Sequence, residues 1–119
     1  MDTIETTKPV AEGEANSAAA FPTTGQPVIV RARDAGVHYG EYQAHAGREV
    51  RLSNARRLWY WKTLKGISLS DLAVNGINAA DSRIAATVPD QLVLDACEII
   101  AVREDAAATI REAPIAARR

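Results

Sequence analysis

The stretch that decides the fold is residues 48–61, REVRLSNARRLWYW. Polar and apolar side chains alternate in its first half, which predicts a strand with Val50 and Leu52 on its inner face. The alternation resumes after Asn54 with aromatic and basic side chains, so we predict a separate strand over residues 55–61. One face of that strand is formed by Arg57, Trp59 and Trp61, and the other by Arg56, Leu58 and Tyr60.

Two further strands are predicted before this stretch, over residues 28–33 and 37–45. β-Branched and alternating residues favour the first strand. Gly40, inside the second strand, indicates a bulge or sharp bend of the kind that small barrels need. Short turns would join the four strands into an antiparallel meander, which must curl or be covered to hide its apolar side.

Two helices complete the predicted fold. A short helix follows the fourth strand, with Ser68 as its N-cap and Asp71 forming a capping-box variant. A C-terminal helix is predicted over residues 104–112, where acidic side chains occupy the first turn. Between them, residues 83–88 are a weaker strand candidate and residues 92–102 form one strand or two. The fold class is therefore α+β, an antiparallel meander or small barrel-like sheet with these two helices.

The composition predicts one folded domain between a disordered leader and a short frayed tail. The 119-residue chain is 47% hydrophobic and 24% charged, unlike a disordered protein. Residues 1–26 follow no periodic pattern and hold one basic and four acidic side chains, which predicts a disordered acidic leader. We expect a β-rich ligand-binding domain over residues 27–113 and a frayed tail over residues 114–119.

The formal charge of −1 is unevenly distributed along the chain. Residues 27–67 hold eight basic and three acidic side chains, whereas residues 68–119 hold five basic and eight acidic ones. A basic segment that folds onto one face would attract phosphates at short range. Scattered arginines on a solvated strand surface are the simpler alternative.

Several classes of protein are disfavoured. The apolar runs are too short to cross a bilayer and the N-terminus lacks the pattern of a signal peptide, so we expect a cytoplasmic protein without a membrane partner. The single cysteine, Cys97, excludes an internal disulfide and lies in an apolar run that predicts burial. His38 and His45 are an odd number of residues apart, so a regular strand would place them on opposite faces. Because no catalytic or phosphate-cradling motif is present, we expect a protein that is not an enzyme and needs no metal or cofactor.

The strongest candidate for binding is residues 54–62, which bring two guanidinium groups, three aromatic rings and an ammonium together. Arginine makes fork-shaped, charge-assisted hydrogen bonds to phosphate oxygens. An aromatic ring offers a surface on which a base stacks for roughly 1–3 kcal/mol. The alternative is that Trp59 and Trp61 are core residues with Arg57 stacked on them. His38 is a further candidate for phosphate or base contact, with partial burial as its alternative.

Several motifs resemble those of a family of small phage and prophage proteins. They are AGVHYG at 35–40, NARRLWYW at 54–61, Ser68-Leu69-Ser70, Val88-Pro89 and Glu98-Ile99-Ile100. The pattern is similar to the first class of Thoeris anti-defence proteins, which sequester cyclic ADP-ribose isomers made by bacterial TIR-domain immune enzymes. The resemblance implies a phage-encoded sponge that binds the signal without cleaving it. It also implies a homo-oligomer, a dimer or a hexamer, and some members of the class hold cyclic oligonucleotides at a separate place.

The resemblance covers roughly residues 27–113 and implies a set of ligand contacts. These are Arg31, Arg57 and Arg111, with His38, Tyr39, Asn54, Arg56 and Trp59 as weaker candidates. A cyclic ADP-ribose isomer offers a pyrophosphate for arginines and an adenine for stacking, in agreement with the residues at 54–62. The chain departs from the pattern in its longer leader, in Arg33 and in Cys97, which leaves the choice of ligand open.

Two other classes of function remain open. The order of strands and turns is also that of Sm-like and SH3-like barrels that bind nucleic acid. The sequence pI of about 6.1 argues against nucleic acid as the partner, because dedicated modules commonly have a pI above about 9. The third class is a phage structural subunit, in which the arginines and tryptophans would form subunit contacts.

Overall fold

The computed structural model describes residues 21–117, so most of the predicted leader lies outside the described residues. The domain begins before residue 27. Gly25 N–H donates to the Tyr42 carbonyl at 2.7 Å, and Tyr42 N–H donates to the Gln26 carbonyl at 2.9 Å. The chain beyond residue 113 is also bonded to the domain, because Ala116 N–H donates to the Ile84 carbonyl at 2.9 Å. Backbone hydrogen bonds of the domain thus extend to residues 25 and 116, beyond the predicted boundaries at residues 27 and 113.

Six strands and two α-helices form an α+β fold, which confirms the predicted class. The elements are β1 Pro27–Ala32, β2 Gly36–Ala46, β3 Glu49–Tyr60, α1 Leu69–Asn75, β4 Arg83–Ile84, β5 Val88–Val93, β6 Ala96–Ala101 and α2 Glu104–Arg111. A short 3₁₀ turn at Ala79–Asp81 precedes β4. The strand order is β4-β3-β2-β1-β6, with β5 also pairing with β3. Every pairing is antiparallel.

The two strands predicted over residues 48–61 are one continuous strand, so the short helix follows the third strand and not the fourth. Ser53 pairs with Glu41 and Arg56 pairs with Tyr39, which leaves two residues of β3 opposite Gly40 alone. This β-bulge is accommodated by Asn54, whose φ is +49°. A Cβ at Gly40 would lie 2.9 Å from the Leu52 Cβ. The glycine therefore allows the close approach, as its position in the sequence predicted.

The run from β5 to β6 bridges the two sides of the meander, although no β5–β6 pairing closes the sheet among the described strands. β5 pairs with β3 and β6 pairs with β1, so consecutive strands join the two sides of the meander. Asp95, between them, has a φ of +56° and accepts a hydrogen bond from Arg33 N–H at 3.2 Å. The residues packed inside this small barrel are Val28, Val30, Ala32, Tyr42, Val50, Leu52, Ala55, Val93 and Ala96. We call the face that they occupy the barrel side of the sheet.

The opposite face, the helix side, is covered by α1 and α2. Its core includes Ile29 and Leu58 from the strands, Leu72 from α1, and Ala106 and Ile110 from α2. Burial of each large apolar side chain contributes roughly 1.5–3 kcal/mol. The predicted capping box of α1 is confirmed, because the Ser68 hydroxyl accepts the Asp71 N–H and the Asp71 carboxylate accepts the Ser68 N–H. In the part of the chain that the structure describes, no helix is long and apolar enough to cross a bilayer.

Candidate ligand-binding site

The predicted contact residues do not converge on one place, because alternation along the strands divides them between the two sides of the sheet. Tyr39 pairs across the strands with Ile29 and Arg56, which places all three on the helix side. His38 pairs with Val30 and Arg57 on the barrel side. The helix-side residues are Arg31, Tyr39, Arg56 and, from α2, Arg111; the barrel-side residues are His38, Arg57 and Trp59.

Arg56 is a structural residue, and its prediction as a ligand contact is wrong. It is 3% exposed. Its Nε donates to the Ala85 carbonyl at 2.8 Å, and its Nη1 donates to the carbonyls of Ile110 and Ala113 at 2.8 and 2.7 Å. The guanidinium thus satisfies carbonyls at the C-terminal end of α2, which have no partner within the helix. Burial lowers the pKa of Arg56.

Arg31 and Arg111 are both paired with carboxylates on the helix side, away from Arg57. Arg31 Nε donates to Glu98 at 2.8 Å, and this hydrogen bond raises the pKa of Arg31. Arg111 donates to Glu104 at 2.6 Å and to the Tyr39 hydroxyl at 3.2 Å, and the Glu104 bond raises the pKa of Arg111 above its usual value. The predicted convergence of these arginines with Arg57 is therefore wrong within a single chain.

Asn54 and His38 also have local roles. The Asn54 side-chain amide donates to Glu41 at 3.0 Å at the bulge of β3. His38 is fully buried, and its Nε2 lies 2.9 Å from the Ala35 carbonyl, to which it donates. Burial lowers the pKa of His38, so the ring stays neutral, and its Nδ1 has no partner among the described residues. Burial, the simpler alternative for this histidine, is therefore correct.

Arg57 is the one predicted contact whose guanidinium makes no hydrogen bond or ion pair within residues 21–117. It lines four adjoining clefts, of about 290, 240, 340 and 430 Å³. The largest cleft lies between the β1–β2 turn, at Asp34 and Ala35, and the β5–β6 segment at 91–95. We call the surface formed by Arg57, Trp59, Arg83 and Asp34 the Arg57 surface.

Trp59 is 70% exposed, so the alternative that placed it in the core is wrong. Trp61 is half-buried and packs against the helix-side core. Arg83 lies over the Trp59 ring, with its guanidinium carbon 5.1 Å from the ring centroid. Arg83 could not be predicted from the sequence, because a two-residue strand gives almost no periodic signal that would place it beside Trp59.

Charged groups around the Arg57 surface favour anions. Arg33 and Arg48 share one carboxylate, that of Asp95, at 3.2 and 3.8 Å. Arg57 and Asp34 have no ion-pair partner among residues 21–117, and positive charge exceeds negative charge in this region because Arg33, Arg48, Arg57 and Arg83 outnumber Asp34 and Asp95. Cys97, predicted to be buried, is exposed on β6 instead, because it is the extra residue of a β-bulge: Arg31 pairs with Glu98 and Ala32 pairs with Ala96. Among residues 21–117, no group of three or more His, Cys, Asp or Glu side chains is arranged to hold a metal ion.

One comparison with known proteins identifies relatives of this chain. A family model described as Domain of unknown function (DUF6948) matches residues 25–110. The match spans all six strands and almost all of α2, so it includes the Arg57 surface. No curated protein and no solved structure matches the chain.

Proposed function

The chain belongs to the DUF6948 family, and we propose that it is a binding protein that sequesters a cyclic nucleotide of the cyclic ADP-ribose type without cleaving it. As the resemblance implies, it would act as a phage sponge in the bacterial cytoplasm. The observation that supports this proposal most is the unpaired Arg57 guanidinium among four clefts. A phosphate bound there would receive charge-assisted hydrogen bonds from Arg57.

The size of the clefts suits a small ligand. The largest, at about 430 Å³, lies within the range of roughly 300–1,000 Å³ that small-molecule sites occupy. Leu92 and Leu94 line this cleft and are each 55% exposed. A second copy that packs on these leucines would give the open cleft another wall, so a homo-oligomer, a dimer or a hexamer, is part of the proposal.

The test is retention of an unchanged ligand. Purified protein is incubated with a panel of cyclic ADP-ribose isomers and cyclic oligonucleotides, washed and heated, and the released compound is identified by mass spectrometry. Recovery of one intact cyclic ADP-ribose isomer supports the proposal. Recovery of a cleaved product would indicate an enzyme, and retention of nothing would contradict the proposed function.

Arg57→Ala is the variant that links retention to the site. Losing two charge-assisted hydrogen bonds of roughly 1.5 kcal/mol each would lower affinity by about a hundredfold. Arg51→Ala is the matched control, because Arg51 lies on the same strand but is paired with Asp90 at 2.7 Å. Equal effects of the two substitutions on ligand affinity would contradict a site at Arg57.

The second candidate is a nucleic-acid-binding barrel. It is favoured by the barrel-like core that the meander shares with β5 and β6 and by the exposed Trp59, on which a base can stack. The logarithm of the affinity for generic RNA would fall linearly with the logarithm of the salt concentration, since contacts to phosphates release counterions. Tight binding restricted to a cyclic nucleotide distinguishes the sponge from this candidate.

A further inference from the structure

Trp59 lies between two clefts, because β3 lies between β2 and β4 in the sheet. On the β4 side, Arg83 covers the indole, and a cleft of about 340 Å³ is bounded by Ala116 and Ala117. Arg83 is held in place there, since its Nη2 donates to the Ala117 carbonyl at 2.8 Å. One face of the indole therefore already has a partner.

Trp59 also lines a second cleft, which Arg83 does not line. This cleft, of about 240 Å³, lies between Trp59 and the β1–β2 turn at residues 34–37, and Arg57 lines it as well. The Asp34 carboxylate borders it and makes no ion pair or hydrogen bond in the described part of the chain. A flat surface, a free cation and a free hydrogen-bond acceptor thus adjoin a single opening.

From this arrangement we propose that the cleft between Trp59 and the β1–β2 turn is the subsite for the base of a nucleotide. The base stacks on the indole face that Arg83 leaves open, and its phosphates bind Arg57. Asp34 accepts hydrogen bonds from an amino group of the base or from a hydroxyl of the sugar. An ionised phosphate offers no such donor. This inference rests on the proposed function, because it assigns a place to one part of the same ligand.

The spacing along β3 supports this assignment. Arg57 and Trp59 are two residues apart on one strand face, which separates their Cα atoms by about 7 Å. A base and a phosphate joined through one sugar can reach both side chains at once. Arg83 is then a positioning residue, because it holds the indole from behind without touching the ligand.

The experiment compares two probes that differ in whether they contain a base: cyclic ADP-ribose and inorganic pyrophosphate. Trp59→Leu is expected to weaken binding of cyclic ADP-ribose by about tenfold to a hundredfold, which is the range for loss of one stacked base. Pyrophosphate affinity should stay unchanged. Tyr60→Leu is the matched control, since Tyr60 is an exposed aromatic residue on the next position of β3 but on the opposite face.

Arg83 has its own readout. In a Trp61→Phe background, Trp59 is the only tryptophan, so its fluorescence reports the indole alone. Arg83→Ala should shift this emission without ligand and weaken cyclic ADP-ribose binding, whereas Arg83→Lys, which keeps a cation, should recover part of the affinity. An unchanged affinity in Arg83→Ala would overturn the positioning role.

The outcomes separate the two proposals. If Arg57→Ala abolishes binding of cyclic ADP-ribose and Trp59→Leu does not weaken it, the base subsite is overturned and the proposed function stands. Equal weakening of both probes by Trp59→Leu also overturns the subsite, because the indole would then act on the phosphates or on the fold. If the unmodified protein binds neither probe, the proposed function fails and the subsite fails with it.

Discussion

Arg56→Ala should destabilise the fold by about 3–5 kcal/mol, whereas Arg57→Ala should cost less than about 0.5 kcal/mol. The substitution at Arg56 removes the donors to four carbonyls, of which those of Ala85, Ile110 and Ala113 lie at 2.7–2.8 Å and that of Arg111 lies at 3.4 Å. Each buried acceptor left without a partner costs roughly 1–3 kcal/mol. Water that enters at the end of α2 would replace some of the lost hydrogen bonds, so the expected loss of stability is near the lower end of the summed range. A domain of this size has only about 5–15 kcal/mol of stability, so the loss is large.

The assay is urea unfolding of both variants, followed by tryptophan fluorescence and circular dichroism. The matched control is built into the pair, since Arg56 and Arg57 are neighbours on β3 with the same side chain. Arg56→Lys should also be destabilised, because one ammonium cannot reach carbonyls on both α2 and the β4–β5 connection. A loss below about 1 kcal/mol in Arg56→Ala, or an equal loss in Arg57→Ala, would refute the structural role assigned to Arg56.

Two further predictions concern α1 and the N-terminal boundary. The pKa of Asp71 is lowered chiefly by the hydrogen bond from the Ser68 backbone N–H. The ionised carboxylate therefore stabilises the folded protein at pH values above the unfolded pKa of about 4, and this contribution is lost as pH falls through the lower folded pKa. Asp71→Asn should therefore lower the melting temperature at pH 7 but not at pH 2; the same difference at both pH values would contradict this linkage. Deleting residues 1–20 should leave the melting temperature unchanged. Deleting residues 1–26 should lower it, because this deletion removes the hydrogen bonds that Gly25 and Gln26 make with Tyr42. Equal melting temperatures of the two deletion variants would show that these bonds do not stabilise the domain.

Local patterns predicted the sheet because strand alternation is a property of the chain itself. The inner positions of Val50 and Leu52, the bend at Gly40 and the capping box at Ser68 all follow from neighbours within a few residues. The break predicted between two strands at Asn54 is a β-bulge within one strand, and an asparagine with positive φ fits either a turn or a bulge. Only the residue opposite it, Gly40, decides between them, and that pairing is a tertiary contact.

The site was harder to predict because it depends on what covers each face. Alternation correctly separated Arg56 from Arg57, but it could not indicate which of the two faces the helices would cover. Arg83 comes to Trp59 through β4, a two-residue strand far along the chain. Cys97 is in an apolar run, yet it is the extra residue of a β-bulge opposite β1, and a bulge depends on a tertiary pairing that apolar composition does not indicate.

The position of the candidate site is set by where β4 and β5 pair with β3. Val88 pairs with Ala55, and β4 resumes the pairing with β3 at Ile84, so residues 86 and 87 leave the sheet beside Arg57. The helices lie on the other side, which leaves the barrel side uncovered at this point. Among residues 21–117, no carbonyl or carboxylate is bonded to Arg57 there, whereas Arg56, one position earlier, donates to four carbonyls. The same strand thus stabilises the fold with the Arg56 guanidinium, and it leaves that of Arg57 without a partner in the described part of the chain, as the proposed ligand site requires.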